Sequence, residues 1–212
     1  MTKHLSVDYV RNSGEFRPVK ELKFNEILMF VLENIRVKNA GTVFYVFINL
    51  LFISLITGIS VYGFMQDAFT FKTFITCLGW GTLAGSLLII PIHEGLHALA
   101  FLIIGARKIR FGADLRQMIF YATSDNFVAG RKGFFVVALA PFVIINLVLL
   151  SVGYYGNIEV RLFLAVMLLL HNIMCIGDFG MLSFFMQHKD KELFTFDNLA
   201  TKTAWFYEKI KN

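Results

Sequence analysis

The residues best suited to chemistry stand in one run, His93-Glu94-Gly95-Leu96-His97. Two His at i and i+4 share one face of a helix, one turn apart. That spacing lets both imidazoles reach one tetrahedral Zn²⁺ at about 2.0–2.1 Å. A Glu beside the first His reaches a water on the metal without being a ligand itself. Such a set performs hydrolysis. The metal lowers the pKa of its water towards about 7, and the Glu94 carboxylate takes the proton as oxygen attacks a carbonyl. It then passes that proton to the leaving amine. Residue frequencies give this pattern by accident in under about 1% of chains this long, so chemistry outweighs a polar cluster that merely pins helix packing.

Two His leave such a site one protein ligand short. Ala100 and Ile103 stand where a metzincin would continue with Gly and His, and Asp114 and Asp125 lie in a basic loop. Asp178 and His171 remain, seven residues apart and so on one helix face. His93 and His97 lie twelve and eight residues before Gly105, and Asp178 lies ten before His188. At about 1.5 Å per residue these depths agree within a turn, while His171 sits about 10 Å further out. Asp178 is the expected third ligand, with His171 in reserve; an interhelical hydrogen bond is the other role open to His171. Cys175, three residues before Asp178 on a similar face, is expected to pack as a small apolar residue in preference to ligation. Cys77 lies too far away in depth to pair with it.

The elements that must hold these residues follow from composition. Of 212 residues, 57% are apolar and 17% charged, with a mean hydropathy of +0.64. Soluble domains have about 45–50% and about 25%, so a soluble globular enzyme is excluded. With 24 Phe and 3 Pro the chain is no solvated coil, and two Cys exclude a disulfide scaffold. Four apolar stretches are long enough to span a bilayer: Ala40 to Met65, Phe74 to Gly105, Gly133 to Tyr155 and Val160 to Gln187. The second exceeds one span, so it is tilted, kinked or reaches past the bilayer. Pro91 within it leaves a carbonyl unpaired about one turn earlier.

Charge placement gives the topology. Seven Lys and Arg precede the first span, one follows it, six lie in the middle loop, one lies in the third connection and five lie in the tail. Both termini and the middle loop are therefore expected in the cytoplasm of a multi-pass cell-membrane protein. No cleavable leader is expected. Inside the spans only Glu94, Asp178, His93, His97 and His171 are acidic or His. A charged side chain at the bilayer centre costs about 3 kcal/mol or more, which marks such residues as functional.

The expected fold is an all-α membrane protein of four transmembrane helices. Residues 1–39 form a cytoplasmic segment, 40–187 the membrane domain and 188–212 a cytoplasmic tail. Phe24, Ile27, Leu28, Val31 and Ile35 predict an amphipathic helix, lying either on the membrane surface or against the protein's own loop. In the middle loop, Lys108 to Phe111 and Gln117 to Thr123 have strand character. A short hairpin there, with its turn at Gly112 to Arg116, would offer an edge to an extended substrate; an ordinary basic surface loop is the alternative.

HExxH in one membrane helix, joined by an Asp from a later helix, resembles the site-2 protease class of intramembrane metalloproteases. More closely, the chain resembles a bacterial family of small four-span zincin peptidases. The matching features are His93-Glu94-Gly95-Leu96-His97, Ala138-Leu139-Ala140-Pro141-Phe142, His171-Asn172 and Gly177-Asp178. The resemblance covers about Ala40 to Gln187. It implies a membrane-embedded zinc metallopeptidase, with Zn²⁺ on His93, His97 and Asp178 and with Glu94 as general base. In site-2 proteases the last motif carries Asn, Pro and then Asp-Gly; here Gly177 precedes Asp178, Phe179 follows it and the Pro is missing. Pro141 and Asn146 match a Pro and Asn of that class in type but not in spacing, and Pro141 also reads as a simple kink.

The expected partners are a membrane-protein or peptide substrate and anionic lipid, drawn by the basic loop and tail. Nucleic acid is not expected, since the basic residues are spread over three segments. The alternative function is a non-proteolytic metal-binding or transport membrane protein, which needs the ligands but not Glu94.

Overall fold

The computed structural model describes residues 5–117 and 119–210. Lys3, His4 and Lys211 of the charge pattern, and Met118 of the strand-like run, lie outside the described residues. The chain opens with a short helix α1 (Val7–Asn12), a strand β1 (Phe16–Lys23) and a 3-10 turn (Phe24–Glu26), followed by α2 (Ile27–Ile35). α3 (Ala40–Met65) coincides with the first apolar stretch. Its start is set by a capping box: Asn39 Oδ1 accepts from the Gly41 and Thr42 N–H groups, and Thr42 Oγ1 accepts from the Asn39 N–H.

The second stretch is two helices, α4 (Phe71–Leu87) and α5 (Ile89–Ile103). The break at Leu88 falls where Pro91 dictates. Pro91 has no N–H to give the Leu87 carbonyl, and its ring crowds that carbonyl. After α5 come β2 (Ile109–Asp114), β3 (Ile119–Ser124) and the two-residue β4 (Ala129–Gly130), then α6 (Arg131–Tyr155). The fourth stretch is also broken, into α7 (Ile158–Met174) and α8 (Ile176–Gln187), bent by 44°. The chain ends in β5 (Leu193–Asn198) and β6 (Thr203–Lys209). Three helical units are long and apolar enough to cross a membrane: α3, the α4–α5 pair and α6; α7 with α8 is a fourth if the bent pair is one span.

The all-α expectation is wrong. Among the described residues six strands form two antiparallel sheets, one ordered β1-β6-β5-β4 and the other the hairpin β2-β3. Both polar tails supply the larger sheet. Its strands escape a period-two search for physical reasons. The register of β1 on β6 shifts between Pro18 and Lys20, which breaks the alternation. β5 lies between two strands with Leu193, Thr195 and Phe196 all buried, so it shows no polar face. The hairpin runs further than the loop pattern suggests: Ile109 to Asp114 pair with Ser124 to Ile119, and the turn lies at Leu115 to Gln117.

The larger sheet, α2 and the end of α8 close over one core of Leu22, Phe30, Phe184, Phe185, Leu193, Ala204 and Phe206. Phe24, Ile27, Val31 and Ile35 of the predicted apolar face pack against the protein itself, while Leu28 stays exposed. A Cβ on Gly180 of α8 would lie 2.8 Å from Val31 Cγ1 and 3.0 Å from the Val31 carbonyl, so only Gly allows this approach. Gly180→Ala is expected to lower stability by about 1–3 kcal/mol through overpacking. Thermal unfolding in detergent checks this; an unchanged midpoint would mean that α2 does not rest on α8.

Candidate active site

α5 presents His93 and His97 from one face, both buried. Their Nε2 atoms are 2.9 Å apart. Asp178, in the first turn of α8, reaches both: Oδ2 is 3.3 Å from His93 Nε2 and Oδ1 is 3.2 Å from His97 Nε2. The bend at Cys175 aims the start of α8 at α5. The depth count placed Asp178 level with the two His, and the helices bring the three side chains together.

His97 Nδ1–H donates to the Val137 carbonyl of α6 at 2.9 Å. A carbonyl only accepts, so His97 Nδ1 carries a proton, and Nε2 is the nitrogen left to serve a metal. That nitrogen faces His93 Nε2 and the Asp178 carboxylate. The two Nε2 atoms are 2.9 Å apart and each has a different Asp178 oxygen at 3.2–3.3 Å, spacings close to the edge, about 3.3 Å, of a tetrahedron with bonds of 2.0–2.1 Å. The donor set therefore fits Zn²⁺.

Glu94 lies beside this triangle. Potential ligand atoms of His93, Glu94 and His97 all fall within 4.8 Å of one another. Glu94 Oε2 is buried with no hydrogen-bond partner among the described residues. A buried acceptor left unpaired costs about 1–3 kcal/mol and marks a place where a further polar group belongs.

His171, at the end of α7, does not stand on the Asp178 side. It is fully buried and meets His93 from behind, with His93 Nδ1 and His171 Nε2 3.2 Å apart. Cys175 Sγ is 3.6 Å from the same Nε2. Cys77 and Cys175 are both free thiols. Beyond His171, Asn172 and Asn146 pair side chain to side chain at 2.7 and 3.2 Å, tying α7 to α6. Sequence reasoning named Asn146 and Asn172 without pairing them, and it missed the Val137 carbonyl because a backbone atom carries no residue signature.

A cavity of about 470 Å³ opens onto the site. β3 lines one wall from Ile119 to Thr123, and Ile90, Ile173, Met174 and Ile176 line the apolar end. It thus runs from apolar helices to a strand edge. The strand is tied to the larger sheet by a short hydrogen bond from Thr123 Oγ1 to Asp197 Oδ2. Burial pushes the Asp197 carboxyl up to about 6 and nearby Asp125 adds to it, against the Thr123 bond. The folded state therefore binds a proton that the unfolded chain releases near pH 4, and stability falls as pH rises from about 4 through 6. Asp197→Asn is expected to remove this loss, gaining on the order of 1–2 kcal/mol at pH 7.5 and little at pH 4, since Asp197 keeps partial exposure. Denaturation at the two pH values checks it; equal gains at both would place the charge elsewhere.

The family model described as "Putative zincin peptidase" matches residues 86–193, just over half of the chain. No curated protein and no solved structure matches. The matched stretch begins in α4, ends at the first residue of β5, and contains His93, Glu94, His97, His171, Asp178 and the hairpin. Its description implies zinc and peptide hydrolysis, in accord with the donor set. By that match the chain belongs to the family described as Putative zincin peptidase, and it is a zinc metallopeptidase by family.

Proposed function

We propose that the chain is a membrane-embedded zinc metallopeptidase of site-2 protease-like type, cutting peptide bonds in or beside the bilayer. One observation carries this reading: the Nε2 atoms of His93 and His97 and the Asp178 carboxylate converge beside a buried Glu94 oxygen that lacks a partner. His93, His97 and Asp178 would hold Zn²⁺. When bound, zinc supplies a Lewis acid for the carbonyl and lowers the pKa of a water towards about 7. Glu94 Oε2 takes the proton of the attacking water and returns it to the leaving amine.

Substrate lies extended along β3, whose edge lines the cavity, because a helix hides its carbonyls from attack. The apolar end of the cavity suits a membrane-protein or hydrophobic-peptide substrate. The alternation of basic segments supports a multi-pass protein with both termini and the hairpin in the cytoplasm. The same basic residues favour anionic lipid as neighbour, and nucleic acid is not a partner of this arrangement. Residues 1–39, 40–187 and 188–212 serve as cytoplasmic segment, membrane catalytic domain and cytoplasmic tail.

The test compares membrane peptides from cells carrying the intact chain or Glu94→Gln. Peptides truncated only in the first set identify activity and substrate together. Identical peptide sets, with a metal-dependent function that survives the substitution, would favour a metal carrier.

A further inference from the structure

Both imidazoles of the proposed zinc site must present Nε2 as a lone pair, so each needs an acceptor for its Nδ1–H. The two are served differently. For His97 the acceptor is the Val137 carbonyl, 2.9 Å away. In an unbroken helix that carbonyl would accept from the N–H four residues on. Residue 141 is Pro, fully buried inside α6, and has no N–H. Pro141 thus leaves the Val137 oxygen free at the place where His97 needs it. For His93 the group at Nδ1 is His171 Nε2, 3.2 Å away. His171 has no solvent exposure, and its own Nδ1 has no hydrogen-bond partner among the described residues. An unpaired buried nitrogen is costly. Its position is explained if the ring is held for what its other nitrogen does. The Asn172–Asn146 pair fixes the end of α7 that carries it.

We propose that Pro141 and His171 are positioning residues of the metal centre, each setting the ligating tautomer of one histidine: Pro141 by releasing the Val137 carbonyl to His97, His171 by accepting from His93. This rests on the zinc reading above and gives His171 a place behind a ligand rather than on the metal. It also gives Pro141 a role beyond a bend. Outer partners of this kind carry about 10–100-fold in metal affinity.

The experiment titrates Zn²⁺ against a competing chelator on the purified full chain in detergent. His171→Leu, which fills the space without an acceptor, is expected to weaken zinc about 10–100-fold, and His171→Gln, whose amide oxygen can replace Nε2, to stay within about threefold. Pro141→Ala restores an N–H to compete for the Val137 carbonyl. It is expected to weaken zinc about tenfold while the metal-free thermal midpoint does not fall, since Ala suits a helix interior better than Pro. A purely structural Pro141 would lower both together. X-ray absorption at the zinc edge should show two imidazoles in the unaltered chain and in His171→Gln. Wild-type affinity in His171→Leu or Pro141→Ala, equal losses in His171→Leu and His171→Gln, or a third imidazole on zinc would overturn the proposal. Failure of the zinc reading is distinct: the unaltered chain would then bind no zinc, or His97→Ala would bind as much as it does.

Discussion

Glu94→Gln is expected to keep one zinc per chain and to lower peptide hydrolysis by about 10²–10⁴-fold, the usual contribution of a positioned general base. The substitution isolates proton transfer. Gln has the size and shape of Glu, so the packing of α5 on β3 is kept. None of the three groups that converge at 2.9–3.3 Å is altered. What disappears is the acceptor at Oε2, the buried atom without a partner among the described residues. An amide cannot take the proton of the attacking water at neutral pH, so turnover falls while metal content does not. Metal analysis and hydrolysis of a substrate found in cells, measured on one purified sample, check both halves. Unchanged hydrolysis with full zinc would remove Glu94 from the mechanism. Lost zinc would mean that Glu94 acts as a ligand.

How far the sequence discloses such a site depends on what kind of atom does the work. HExxH is a side-chain pattern on one continuous helix, and α5 presents it as its spacing requires. The convergence of Asp178 was legible as well, because depth along a helix is a linear count and one turn of error is tolerable. The same count misjudged His171. It treated the ligand set as a point, whereas an imidazole has two nitrogens on opposite sides, and His93 touches Asp178 with one and His171 with the other. The bend at Cys175 was hidden because neither Pro nor Gly occupies the break itself. Pro91 did announce its own break, by the missing N–H.

The sheet was the largest gap. β1 and β6 meet from opposite ends of the chain, a contact that local periodicity does not encode. Their charged residues look like solvated tails because much of β1 faces water, while Phe16 and Leu22 are buried. The Val137 carbonyl was beyond reach as a residue, yet its cause was written four positions later in Pro141. A proline inside an apolar helix names the carbonyl it frees.

Asp178→Ala is expected to cost more zinc affinity than any outer partner, beyond the about 10–100-fold those carry, so that the purified protein holds less than stoichiometric metal. The reason lies in what remains. His93 and His97 would face each other at 2.9 Å with two lone pairs and no anionic ligand, leaving a divalent cation in a buried site with the Glu94 charge beside it but not bonded to it. Burying an unneutralised charge is the dominant penalty there. Asp178→Asn separates charge from ligation: the amide oxygen can still coordinate but brings no negative charge, so its affinity should fall between those of Ala and Asp. His171→Ala serves as the comparison and is expected to keep more zinc than Asp178→Ala, because its ring meets His93 at Nδ1 and not at Nε2. Metal content of the purified proteins, each at matched protein concentration, decides it. Full zinc in Asp178→Ala with loss in His171→Ala would move the third ligand to His171, and α7 rather than α8 would then be the helix that completes the site.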